Sequence, residues 1–204
     1  MINKTIVVLA NSIKHHQHCV AGKCIITKEW VRPVSTMEGA ELDQAQSTYH
    51  NPHGNFVVKP MQKIEMIFHS LAPLINQPEN HLISEQQWQQ RYRISEHELS
   101  LYLDHPMDIW GQGDRVNYEG IVQKKIKIPQ SLYLVQVCNL VLYKNEYKKR
   151  RAKFLYNEVS YDLAVTDPSF DKRLSEGNAG MGVLCISLGE EYQGSCFKLV
   201  ATVF

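Results

Sequence analysis

Short apolar, β-branched runs recur at both ends of this 204-residue chain, most of them closed by turn-prone glycine, proline, asparagine or serine. Regularly alternating helical patterns do not separate them. A parallel sheet needs a crossover helix between successive strands, so the pattern favours antiparallel sheets closed into small barrels. The runs are Thr5 to Ala10, Cys19 to Thr27, Glu29 to Ser35, Phe56 to Val58 and Met61 to His69, then Ile121 to Ile128, Leu132 to Tyr143, Arg150 to Tyr156, Val159 to Thr166, Gly182 to Leu188 and Phe197 to Phe204. Glu38 to Asn55 is polar and reads as a long surface loop.

The middle of the chain changes character. Ser84 and Ser95 stand where helix N-caps stand, and Ser95 with Glu98 has the spacing of a capping box. One or two helices are expected between Ser84 and Asp104, stopped by Pro106. The expected class is therefore mainly β with a short helical insertion, α+β overall. Its divisions are a first β lobe over 1–83, a helical connection over 84–115 and a second β lobe over 116–204.

A net charge of +1 supplies no global field toward nucleic acid or an anionic surface, so any polyanion site must be a local patch. The Thr5 to Ala10 run is too short for a secretory signal core, and no stretch approaches bilayer-spanning length. Five cysteines form an odd set without dense spacing, which suits reduced thiols in the cytoplasm; Cys138, Cys185 and Cys196 lie in apolar runs and are expected to pack as small core residues. No membrane partner is expected.

Four segments carry a family likeness: Val8-Leu9-Ala10-Asn11-Ser12 with His18-Cys19-Val20-Ala21-Gly22; Trp30-Val31-Arg32-Pro33-Val34-Ser35; Tyr161 to Pro168; and Leu184 to Gly189 with Cys196 to Ala201. In that order they resemble the dual OB-fold domain family of bacterial proteins over nearly the whole chain. The resemblance implies two OB-like antiparallel barrels packed as one unit and a nucleic-acid or nucleotide-binding role. It brings no catalytic set. Asn157-Glu158 departs from the pattern, since glycine is the usual residue in such a turn.

Residues 144–153 place six basic groups against a single acid, flanked or interleaved by Tyr143, Tyr147, Phe154 and Tyr156. Lysine and arginine neutralise phosphates while aromatic faces stack bases without demanding a sequence. Lys148, Lys149, Arg150, Arg151, Lys153 and Tyr156 are thus candidate nucleic-acid or ligand contacts. In an extended strand Arg150, Phe154 and Tyr156 would share one face and Arg151 and Lys153 the other. The alternative is a set of solvating charges on a hairpin edge. Trp30 and Arg32, stiffened by Pro33, form a second candidate, a stacking surface beside a clamp for phosphate or carboxylate; the alternative is a core tryptophan and an ion pair. His18 and Asp167 are expected to orient a ligand, with turn formation before Pro168 the simpler role for Asp167.

His15, His18, Cys19 and Cys24 are weak candidates for zinc, because the second closely spaced ligand pair is missing. No cofactor is expected. Phosphate-loop, dinucleotide, nucleophile-elbow, zincin and deaminase motifs are absent, so a binding protein is favoured over an enzyme at the His15–Cys24 turn. A protein-interaction subunit of a larger bacterial system is the remaining alternative.

Overall fold

The computed structural model describes residues 1–14, 17–177 and 180–204. They form two units, 1–102 and 103–204. The first contains β1 (Ile2–Lys14), β2 (Gln17–Cys24), β3 (Trp30–Val34), β4 (Thr48–Asn51), β5 (Gly54–Val57), β6 (Gln62–Leu71), β7 (Asn80–Ile83), β8 (Trp88–Arg93) and a 3-10 helix, His97–Tyr102. The second contains β9 (Arg115–Asn117), α1 (Tyr118–Val122), β10 (Leu132–Lys144), β11 (Arg150–Tyr156), β12 (Val159–Val165), α2 (Phe170–Glu176), β13 (Gly180–Tyr192) and β14 (Ser195–Val203).

Each unit closes a five-stranded barrel. In the first, β1, β2 and β3 form an antiparallel meander, β3 runs parallel to β7, and β6 joins β7 back to β1. In the second, β10, β11 and β12 repeat the meander, β12 runs parallel to β14, and β13 joins β14 to β10. Alternation decides what each barrel encloses: Ile6, Val8, Val20, Val31, Ile64, Met66 and Phe68 fill the first, and Val135, Val137, Ala152, Phe154, Tyr161, Leu163, Leu184 and Val200 the second. β1 bends at a register shift between Val8 and Ala10. There Gly22 comes so close that a Cβ on it would lie 2.1 Å from the Val7 carbonyl oxygen, which excludes any larger residue.

The barrels differ between their third and fourth strands. In the second unit α2 fills that connection, and Phe170 is fully buried. In the first it is the β4–β5 hairpin, extended by β8, which pairs with both β4 and β6.

Four expectations meet a different outcome in the structure. The supposed loop Glu38 to Asn55 contains β4 and the start of β5; β4 carries so little apolar alternation that Tyr49 is its one buried residue. Trp88–Arg93, expected within a helical connection, is a strand: pairing with β6 and burial of Trp88 override the helix preference of its glutamines and arginines. Ser95 does meet Glu98, its N–H donating to Oε2 at 2.9 Å, but the turn is 3-10 rather than α. Ile121 to Ile128, expected as a strand, begins inside α1, because Asn117 caps that helix by accepting from the Gly120 N–H at 2.7 Å. The segment 84–115 is divided between the two units.

The Asn157-Glu158 turn forms with both residues at positive φ, 46° and 65°. That is the geometry a two-residue hairpin needs, and Asn157 is held by donating to the Pro106 and Met107 carbonyls. Glu158, exposed and carrying a Cβ, bears a strain of about 1 kcal/mol. Glu158→Gly should therefore stabilise the second unit by about 1 kcal/mol and raise its melting midpoint by a few degrees in calorimetry.

His81 is buried against Phe68, with ring centroids 5.0 Å apart, and its Nδ1 meets the Glu79 carbonyl at 2.7 Å. Its Nε2 has no partner among the described residues. Burial holds its pKa below the ordinary 6.5. Below about pH 6.5 the unfolded chain then binds more protons than the folded one, so stability present above that value is lost as pH falls through it. Urea midpoints at pH 7.5 and 5.5 should show this loss in the wild type and a smaller one in His81→Gln.

Candidate nucleic-acid interface

The outer face of β10, β11 and β12 is a ladder of aligned rows. Tyr143 pairs with Arg151 and Arg151 with Ala164; Val141 pairs with Lys153 and Lys153 with Asp162; Cys138 pairs with Leu155 and Leu155 with Ser160. β11 alternates as its sequence requires: Ala152, Phe154 and Tyr156 point into the barrel, while Arg151 and Lys153 point out. Tyr156, expected as a stacking surface, is instead core, its hydroxyl donating to the Pro106 carbonyl at 2.7 Å. Cys138, expected in the core, is exposed, because its position in β10 falls on the outer face.

The loop joining β10 to β11 is organised by Asn145. Its side-chain oxygen accepts from the Tyr147 N–H at 3.1 Å and the Lys149 N–H at 2.9 Å, and its carbonyl accepts from the Lys148 N–H at 2.8 Å. Lys148 takes the left-handed conformation this loop requires, φ 57°. The consequence is an ordered tip that presents Tyr147, 73% exposed, beside exposed Lys148 and Lys149. Lys148, Lys149 and Lys153 form no ion pair among the described residues.

The arginines have other duties. Arg151 donates from Nε to Asp162 Oδ1 at 2.9 Å and from Nη2 to the Asp162 carbonyl at 2.6 Å, and the Tyr143 hydroxyl donates to Asp162 Oδ2 at 2.5 Å. That hydrogen bond to a carboxylate raises the Tyr143 pKa. Arg150 Nη2 and Lys144 Nζ share the Asp171 carboxylate at 2.5 and 2.8 Å, and the Arg150 guanidinium lies 5.6 Å from the Phe170 ring centroid. Of the six basic groups, three are thus held by acids and three face solvent without one.

Asp167 is a buried tie. Its Oδ1 accepts from the Ser169 N–H and hydroxyl, each at 2.7 Å, and its Oδ2 from the Val203 N–H at 2.8 Å. These bonds seat the turn after β12 against β14 and occupy the carboxylate that was expected to orient a ligand.

The first unit places its candidates differently. Trp30 and Arg32 are both about 5% exposed. The Lys23 amine lies 5.2 Å from the Trp30 ring centroid, and Arg32 Nε lies 3.5 Å from Glu79 Oε1 with Nη1 3.8 Å from Cys19 Sγ. The expected clamp is therefore withdrawn from solvent. His18 is buried too. Asn11 donates its amide to the Val58 carbonyl at 2.7 Å, so its oxygen faces His18 Nδ1 at 2.9 Å and puts the ring proton on that nitrogen. Burial lowers the His18 pKa against the opposing pull of Asp43.

Cys19 and Cys24 stand five residues apart on one strand, on opposite faces and about 17 Å apart by strand rise. They cannot share an ion. His15 lies outside the described residues, and among those described no three His, Cys, Asp or Glu side chains gather into a metal-sized group. No helix among them is long and apolar enough to cross a membrane.

Two closed barrels with the same strand order, each with one parallel seam, are the Greek-key closure of the OB fold. Residues 4–203 match the family model for the dual OB-containing domain. The chain belongs to that family. No curated protein and no solved structure matches it. In OB folds the face of strands two and three, with the loop joining strands one and two, is the usual ligand surface. In the second barrel of this dual-OB chain those parts are β11, β12 and the loop 145–149, where the basic and aromatic side chains stand.

Lys198 was not foreseen. Alternation along the last strand suggests an outward lysine, yet it is buried and donates Nζ to the Gly111 and Gln112 carbonyls at 2.6 and 3.2 Å. Burial lowers its pKa to about 8, although Asp108 and Asp114 pull the other way. A lone lysine in an apolar strand is the one signal that pointed to it.

Because Asp167 serves the fold, Asp167→Ala should cost the second unit about 2–3 kcal/mol in urea unfolding, by leaving the Val203 and Ser169 donors without a partner.

Proposed function

We propose that this dual-OB chain binds single-stranded nucleic acid on the outer face of its second barrel, along β11, β12 and the loop 145–149. The observation that carries this reading is the ordered loop tip that exposes Tyr147 beside a basic pair, Lys148 and Lys149, with a third cation, Lys153, on the adjoining strand. A stacking ring beside cations free of protein acids meets both needs of a single strand, a platform for bases and charge for phosphates. Arg151 and Tyr143, locked through Asp162, supply a firm floor rather than mobile contacts. The fold adds weight, since this is the surface OB barrels commonly use.

Fluorescence anisotropy with labelled single-stranded DNA and RNA tests the reading. Three phosphate contacts predict that log affinity falls against log salt with a slope of about −2. The combined Lys148→Ala, Lys149→Ala and Lys153→Ala variant should abolish most of that slope, and Tyr147→Ala should weaken binding by roughly tenfold or more at constant salt. Salt-independent binding, or a triple variant that binds like the wild type, would overturn it. Arg150 and Arg151 are poorer probes, because their loss also breaks the ion pairs to Asp171 and Asp162.

A further inference from the structure

The hairpin that occupies the third-to-fourth strand connection of the first barrel leaves a cleft of about 510 Å³ between the ends of β3 and β7 on one side and the starts of β4 and β8 on the other. The volume falls in the range of small-molecule sites. It belongs to neither the basic loop nor the buried Trp30–Arg32 pair.

Several polar groups in it have orientations fixed from behind. Gln46 accepts the Asp43 N–H at its Oε1, at 2.9 Å, which leaves Nε2 with no hydrogen bond among the described residues. Gln87 donates Nε2 to Asn55 at 2.9 Å, leaving Oε1 in the same state. Ser35 and Thr48 spend their hydroxyl protons on backbone carbonyls, on Glu41 at 2.8 Å and Ala45 at 2.6 Å, and so present lone pairs. Trp88 is buried to 3% exposure and lines the cleft, with no hydrogen bond from its Nε1–H among the described residues. Glu85 is the one ionisable side chain in the lining.

These facts restrict the ligand's chemistry. A lone carboxylate without a lining cation disfavours phosphates and carboxylates. The indole of Trp88 is only 3% exposed, so a nucleobase finds almost no open ring face to stack on. Closely set donors and acceptors, with a carboxylate able to accept from two adjacent hydroxyls, match a compound whose every hydroxyl both donates and accepts. We infer that this cleft is a binding site for a neutral saccharide, held by Gln46, Gln87 and Glu85 and bounded by Trp88.

The test uses the full chain labelled with 15N and follows the Gln46 and Gln87 side-chain amides and the Trp88 indole N–H. The probes are glucose, galactose, mannose, N-acetylglucosamine and maltose, each raised to about 50 mM so that millimolar affinity is reached; adenosine and inorganic phosphate run in parallel. At least one sugar should shift these signals saturably while resonances of the second barrel stay in place. Gln46→Leu and Glu85→Ala, both away from the buried core, should each weaken that binding by roughly tenfold with the rest of the spectrum intact. No shift with any sugar, or shifts with adenosine or phosphate alone, would overturn the assignment. Because the readout lies in the first unit and uses no oligonucleotide, its failure is separate from failure of the nucleic-acid reading.

Discussion

Parallel pairing at one seam holds each unit closed. Arg32 beside Asn80 in the first barrel and Ala164 beside Leu199 in the second join strands that would otherwise be the edges of an open, mostly antiparallel sheet. Hydrogen bonds just outside the paired residues extend the seams, from the Arg32 N–H to the Glu79 carbonyl and from the Thr166 N–H to the Val200 carbonyl. Closure removes two edges that could pair with other chains and converts each inner face into a sealed core. What remains for function is the outside of the strands and the loops between them.

That division explains the fate of the polar residues. A side chain on the inner face of a barrel, or under a loop, must be matched or stay uncharged. Asp167 is matched by three donors, Lys198 by two carbonyls and Arg32 by Glu79. The outer face of β11 faces no such demand. Lys153 there, and Lys148 and Lys149 in the loop before the strand, stay in solvent.

Much of the fold was legible in the sequence because its strands are strongly patterned. Arg150 to Tyr156 has in the structure the bounds its sequence pattern gives it, and along Val159 to Thr166 every second residue, Val159, Tyr161, Leu163 and Val165, turns inward. The basic loop was legible for the same reason: its composition is local. What escaped depends on partners distant in the chain. β8 forms because β6 and β4 offer it pairing, and no local preference announces that. Tyr156 and Arg150 share a face with Phe154, but a face reads as inner or outer only once the barrel closes. The Arg151–Asp162–Tyr143 lock spans three strands, and the Trp30–Arg32 segment, attractive as a clamp in one dimension, is buried in three.

The account rests on the second barrel's outer face being the contact surface, and amide hydrogen exchange with and without a single-stranded oligonucleotide tests that most directly. Protection should gather in 145–155 and the neighbouring strand β12, with exchange in Trp30–Val34 unchanged. Protection centred on the first barrel, or no change anywhere at saturating oligonucleotide, would contradict it.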